Sequence, residues 1–282
     1  MQKMFALTLG LLFILGAVGC HKQDIEKDKT AIKALVEQDT VHFSISTTHD
    51  SSSSGGYFVA NDTAVFWWRG PQTHDDPVID VKIVEDSAYV QWSRHNFGEI
   101  HILISPPDTS LLLWNKPLKE TARLCAIFKR EGKETDTDRG WRLKKISLAM
   151  GASDSVQTVR IDSLWVRSSL RELVVKDPLE TFFPIDSLFS FTPGEQVTVT
   201  LYTNATDGLA FLHTFVLIWP FYVRVPFNYL GDGVFQATWH AQLLPSFRFA
   251  IFDLMPRSVL YSPDYPYDFH GWLFCYQVKT AD

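Results

Sequence analysis

Cysteine is scarce, with three in 282 residues, at positions 20, 125 and 275. A small secreted scaffold stapled by disulfides needs more. A basic surplus is also missing, since 32 Asp and Glu stand against 26 Lys and Arg. The chain therefore lacks the electrostatic footprint of a nucleic-acid binder. There is no G-x-S-x-G elbow and no P-loop, and the glycine pair at 55–56 does not open a helix. Those absences leave no motif for nucleophilic catalysis or phosphate cradling. No apolar run reaches the ~20 residues of a membrane span. The stretch "LAFLHTFVLIWPFYVRV", residues 209–225, is interrupted by His213 and Pro220 and ends at Arg224. It reads as one or two buried strands with Pro220 at a turn or edge.

What the chain does have is apolar and aromatic mass: 46% hydrophobic residues, nine Trp and 21 Phe. That is enough for a packed core and favours pleated β-structure. The N-terminus adds an address. Lys3 precedes the apolar run Met4 to Leu15, and Gly16, Ala17, Val18 and Gly19 lead directly to Cys20. This is a secretory signal in form. The small residues before Cys20 resemble the bacterial lipobox, although Ala17 stands where Leu is commoner. The alternative is an ordinary signal peptide followed by a disulfide cysteine. The lipobox resemblance implies a signal segment over residues 1–20 with cleavage between Gly19 and Cys20, lipidation of Cys20 with palmitate-type chains as the first residue of the mature chain, and a lipid-anchored cell-envelope protein. A diacylglyceryl cysteine carrying a further N-acyl chain anchors stably where one chain does not. By likeness to enteric lipoproteins, His21 in place of Asp favours the outer membrane. Cys125 in "ARLCAIF" and Cys275 in "WLFCYQV" read as two free buried thiols, which behave as small hydrophobes.

Residues 24–43 read as an amphipathic helix, because Ile25, Ile32, Leu35, Val36 and Phe43 fall on one face. "THDSSSSGG", 48–56, reads as a loop. Then come strand candidates "TAVFWWR", "VIDVKIVED", "AYVQWSR" and "EIHILIS", with "RHNFGE" as a hairpin turn between the last two. "ETARLCAIFKREG" and "GWRLKKISLAM" form a further pair around "KETDTDR". On these elements, "DKTAIKALVEQD", "KPLKETARLCAIFKREGK" and "RGWRLKKIS", residues 21–150 resemble the NTF2-like (SnoaL-like) α+β cone. The resemblance implies a helix packed in a curved antiparallel sheet, and either a SnoaL-like enzyme or a small-ligand binder. The usual catalytic residues have no counterpart, so none is carried over. From 151 to 282, short strand candidates separated by turns such as "TPGEQ" and "LGDGV" suggest a β-sandwich. It resembles an immunoglobulin-like module without the Cys…Trp…Cys spacing.

The candidate site residues are few. On a strand Trp67 and Trp68 face opposite ways, one into the cone, with Arg69 placed to hold a carboxylate or to lie on the surface. In "YSPDYPYDFHGW", 261–272, Tyr265, Tyr267, Asp268 and Trp272 form either an exposed recognition loop, with glycan binding as one use, or a packed strand connection whose tyrosine hydroxyls bond backbone. No metal site is expected. His74 with Asp75 and Asp76, His95 with His101 across the "NFG" turn, and His42 with His49 lack the spacing of a zinc set. The "ETDTDR" acids read as a hairpin turn and not as a calcium loop. The sequence therefore favours a non-enzymatic, lipid-anchored binding or assembly module. It needs no cofactor or nucleic acid, and its partner is an envelope protein or small ligand.

Overall fold

A computed structural model of the chain describes residues 24–43, 56–60, 63–105, 110–215 and 222–280, and Cys20 lies outside them. Helix α1 spans residues 24–38. The strands up to residue 150 are β1 (Gly56–Ala60), β2 (Thr63–Arg69), β3 (Thr73–His74), β4 (Val78–Val84), β5 (Ser87–Ser105), β6 (Leu112–Arg130) and β7 (Trp141–Ser147). Next come β8 (Ala149–Ser153), β9 (Ile161–Ser168), β10 (Glu172–Val175), β11 (Phe182–Pro184), β12 (Ser190–Phe191), β13 (Gln196–Thr203) and β14 (Gly208–Phe215). The last are β15 (Tyr222–Pro226), β16 (Asn228–Gly231), β17 (Val234–His240), β18 (Ser246–Pro256), helix α2 (Arg257–Tyr261) and β19 (His270–Val278).

Fourteen of these strands join one sheet, with the main path β1-β2-β5-β6-β8-β19-β18-β14-β15. A second sheet of five strands runs β10-β9-β13-β17-β16. The large sheet curls until its two ends, β1 and β15, touch. Its concave interior has two apolar compartments. The lower one is filled by Ile32 and Val36 of α1 against Trp92, Leu124, Phe128 and Ile251. The upper one gathers Trp67, Ile102, Leu118, Phe211 and Met255 under Val259 and Leu260 of α2. The five-stranded sheet covers the outer face of β14, β18 and β19, burying Leu212, Phe252, Trp272 and Phe274 against Val166, Val199 and Phe235. With neighbours on both faces, β18 and β19 read as nearly continuous apolar runs. β2 has one inner face and alternates, burying Val65, Trp67 and Arg69 while Phe66 and Trp68 stay half-exposed.

The architecture is neither the NTF2-like α+β cone nor the immunoglobulin-like sandwich. It is overwhelmingly β, with two α-helices among the described residues and no helix layer. Hydrogen bonding crosses residue 150 without a break, since β6 pairs β8 and β8 pairs β19. Of the later strands, β11, β12, β14, β15, β18 and β19 join the curled sheet, and β9, β10, β13, β16 and β17 form the second sheet packed on it, so the part after residue 150 is not a separate module. "RHNFGE" is not a turn. β5 and β6 pair in register through it, with Asn96 opposite Glu120 and Gly98 opposite Leu118. "LGDGV" does turn. Gly231, Asp232 and Gly233 all have positive φ, and a Cβ on Gly233 would come 2.3 Å from the Thr203 carbonyl oxygen. Only glycine fits there. The helix stops at residue 38, short of 43, because the Asp39 carboxylate accepts the backbone N–H groups of Val41 and His42 and turns the chain.

α1 is fixed by an ion cluster. Asp28 shares its buried face and accepts hydrogen bonds from Arg130, from Arg139 Nε at 2.6 Å and from Trp141 Nε1 at 3.2 Å. Burial would raise the Asp28 carboxyl, but Arg139, Trp141 and Arg130 together hold it below its usual range. Removing Asp28 leaves the guanidinium groups of Arg130 and Arg139 to be answered at close range by Glu134, an exposed carboxylate. Asp28→Ala should cost about 2–3 kcal/mol in urea unfolding, while Glu26→Ala on the exposed face should stay within about 0.5 kcal/mol. Equal losses for the two variants would contradict this placement.

A second test concerns the joint between the sheets. His270 is buried, and its Nδ1 accepts the backbone N–H of Ile161 at 3.2 Å, so the ring is neutral. Burial, reinforced by Arg160 and opposed by Asp162, lowers its pKa from 6.5 to about 4. Between those values the unfolded chain binds the proton that the folded chain refuses. Stability from this group is complete above pH 6.5 and is lost as pH falls towards 4, by about 3 kcal/mol at most. His270→Gln keeps an acceptor for Ile161. Its urea midpoint should fall less between pH 7 and 4.5 than that of the wild type; parallel curves would remove His270 as the source.

Candidate functional site

Between the two apolar compartments lies a belt of polar side chains, contributed at one level by five strands. Parity puts them there. On the concave face of β18, Asp253 sits between Ile251 of the lower compartment and Met255 of the upper. Glu120 holds the same place between Ala122 and Leu118 on β6. Arg69 on β2, Asn96 on β5 and His213 on β14 complete the ring, all 2% exposed or less.

The belt is one hydrogen-bonded relay. Arg69 Nη1 donates to Asp253 Oδ2 at 2.7 Å, and His213 Nε2 donates to the same oxygen at 3.1 Å. Arg69 Nε donates to the Tyr267 hydroxyl at 3.0 Å, which donates to Glu120 Oε2 at 3.3 Å. Asn96 Nδ2 donates to Glu120 Oε1 at 3.1 Å and accepts from Arg94 Nε at 3.1 Å. Two arginines balance two carboxylates. The Arg69 guanidinium also lies 4.8 Å from the Phe269 ring centre and 5.1 Å from that of Trp67. Burial alone would raise the Asp253 carboxyl, but the Arg69 charge and the His213 hydrogen bond hold it far below its usual range. Burial pushes the Tyr267 phenol well up. Burial also lowers Arg94, against the pull of Glu120. Arg94 lines a small cavity of about 160 Å³ under the end of α1, beside Asp39, Phe43, Pro77 and Trp92.

Each sequence candidate now has a place. Trp67 points inward and Trp68 outward, where it stacks on His101 at 5.0 Å. Arg69 is buried and pairs with the protein's own Asp253. Tyr267 and Trp272 are each 2% exposed and Asp268 is fully buried, so 261–272 is a packed connection and not an exposed recognition loop. Trp272 is in the intersheet core, apart from the others. Asp268 accepts the Thr158 backbone N–H at 3.1 Å, and half-buried Tyr265 donates to it at 3.3 Å. Lys116 secures the same connection by donating to the carbonyls of Val259, Ser262 and Tyr265 at 2.5–2.7 Å. Burial brings its ammonium down to about 8, against Asp264. His95 and His101 share one strand and bond Asp154 and Asn115 separately. Among the described residues no three His, Cys, Asp or Glu gather as a metal site, and Cys125 and Cys275 are free.

The accessible site is elsewhere, on the convex face of β5 and β6. Tyr89, Gln91 and Ser93 of β5 and Arg123 and Cys125 of β6 form a floor, since their neighbours Val90, Trp92, Leu124 and Ala126 point into the core. Asp177, Leu179, Glu180 and Phe182 form a wall over it, enclosing about 560 Å³. That volume suits a small molecule. The wall is prebuilt. Asp177 Oδ1 accepts the N–H groups of Leu179 and Glu180, and its carbonyl accepts from Thr181 Oγ1 at 2.7 Å. Burial first, then Asp177 and Glu180, raises the Cys125 thiol, so both carboxylates project their field onto the floor. Nothing in the sequence singled out this groove, because its halves lie about fifty residues apart.

The belt bears a direct test. Asp253→Ala should destabilise the protein by about 3–5 kcal/mol in urea unfolding, since it strands a buried guanidinium. Replacing both partners, Arg69→Met with Asp253→Leu, should cost clearly less than the sum of the two single changes; additive losses would show that the two do not act as a pair.

In comparisons with known proteins, the chain matches no protein-family model and no curated protein.

Proposed function

We propose that the protein is a non-enzymatic, lipid-anchored lipoprotein of the bacterial cell envelope, outer membrane in preference to inner, that binds a small ligand in the groove over β5 and β6. The observation carrying this reading is the apolar run that stops at Gly19–Cys20, three residues before α1 begins. Three residues reach at most about 10 Å, so acyl chains on Cys20 would hold the folded body close to the bilayer. No described helix is long and apolar enough to cross a membrane. The burial of the His213–Asp253 pair, at 1% and 0% side-chain exposure, favours a strut over a catalytic dyad. The groove, by contrast, opens to solvent.

Expressed in a bacterial host with radiolabelled palmitate, the wild type should incorporate label and enter the detergent phase on phase separation. Cys20→Ser should do neither. Label retained in the variant, or absent from the wild type, would refute the anchor.

A further inference from the structure

The groove carries opposite charges that do not meet. Arg123 stands on the floor and Glu180 on the wall, both exposed. Neither takes part in an ion pair among the described residues, although both line one cavity. Surface pairs within reach close spontaneously at small net gain; a pair held apart by a prebuilt wall leaves a gap with a positive and a negative side. Asp177 lies on the negative side, already fixed by its own turn. The rest of the lining includes Tyr89, Leu179 and Phe182, with Gln91 and Ser93 as neutral hydrogen-bonding groups.

Resting on the reading of this groove as the binding site, we infer that its ligand is a zwitterion of amino-acid or dipeptide size with an apolar side chain. Its ammonium faces Glu180 and Asp177, and its carboxylate faces Arg123. Its side chain lies against the Tyr89 and Phe182 rings, where an ammonium is also favoured. Arginine suits the carboxylate end because its planar fork matches two oxygens. A neutral sugar would use the rings and amides and leave both charges unanswered. A ligand of single charge would meet attraction at one end and repulsion at the other.

Cys125 makes a local reporter. It lines the floor and is half-buried, whereas Cys275 is 6% exposed with its thiol pushed up to about 12 by burial. The full chain in detergent is treated with iodoacetamide, and Cys125 alkylation is followed by peptide mass mapping. The dipeptide Ala-Phe should slow alkylation, while N-acetyl-Ala-Phe-amide and glucose should not. Arg123→Met and Glu180→Gln should each raise the protecting concentration of Ala-Phe about tenfold, with unchanged thermal melts because both side chains are exposed. Titration calorimetry with the same three compounds decides the matter should Cys125 react too slowly to follow. Equal effects of the blocked and free dipeptides, indifference of both variants, or no heat and no protection by Ala-Phe at millimolar concentration would each overturn the inference. Failure of the anchor reading would appear separately, as an unacylated Cys20 peptide in the same map.

Discussion

The Arg69–Asp253 contact is the constraint from which the architecture follows. In sheet order, β2 and β18 are five strands apart, and in sequence the two residues are 184 apart. A 2.7 Å hydrogen bond between them is reached only if the sheet curls through most of a turn. The bond straps one end of the sheet to the other across the interior. Arg224 of β15 adds a second strap, donating to the Trp67 carbonyl at 2.8 Å with its guanidinium 3.4 Å from that ring centre. Among the described residues the edges meet through these side-chain bonds and no backbone ladder joins them.

Buried charge is a costly way to close a sheet, because desolvation opposes the Coulomb gain. The belt offsets part of that cost by arranging charges in alternation, Arg94, Glu120, Arg69, Asp253, with Asn96, Tyr267 and His213 adding further hydrogen bonds. What such a ring contributes is register. A slip of one residue in β2 or β18 would turn Arg69 or Asp253 to the opposite face and leave a charge alone in hydrocarbon. The apolar compartments above and below tolerate exchange of similar side chains; the belt does not. The outer surface is free of that constraint, and the groove residues of β5 and β6 can vary without touching the core.

Local signals in the sequence were readable, and long-range ones were hidden. The α1 face and the opposed faces of Trp67 and Trp68 follow from periodicity and appear; of the one or two strands expected in 209–225 the structure has β14 and β15, while Pro220 lies outside the described residues. Misreadings arose where a polar residue served the interior. "RHNFGE" has turn composition because Arg94 and Asn96 belong to the belt, not because the chain reverses. The assignment of separate folds before and after residue 150 failed because strand pairing is non-local; β8 marks no end of a sheet. The groove was invisible because β5–β6 and 177–182 meet only in three dimensions. The belt leaves one local signal in the sequence. Asp253 in "FAIFDLM", His213 in "LAFLHTF" and Glu120 between apolar neighbours are single polar residues in buried strands, and such groups demand partners.

Hydrogen exchange on Asp253→Asn, resolved by mass spectrometry, tests the central claim most directly. If the belt closes the sheet, peptides from β2, β14 and β18 lose protection together, while α1 against β6 and β7, held by Asp28, keeps its own. Loss confined to β18, with β2 and β14 protected as in the wild type, would mean that the curl is maintained by apolar packing alone and that the belt follows the fold instead of setting it.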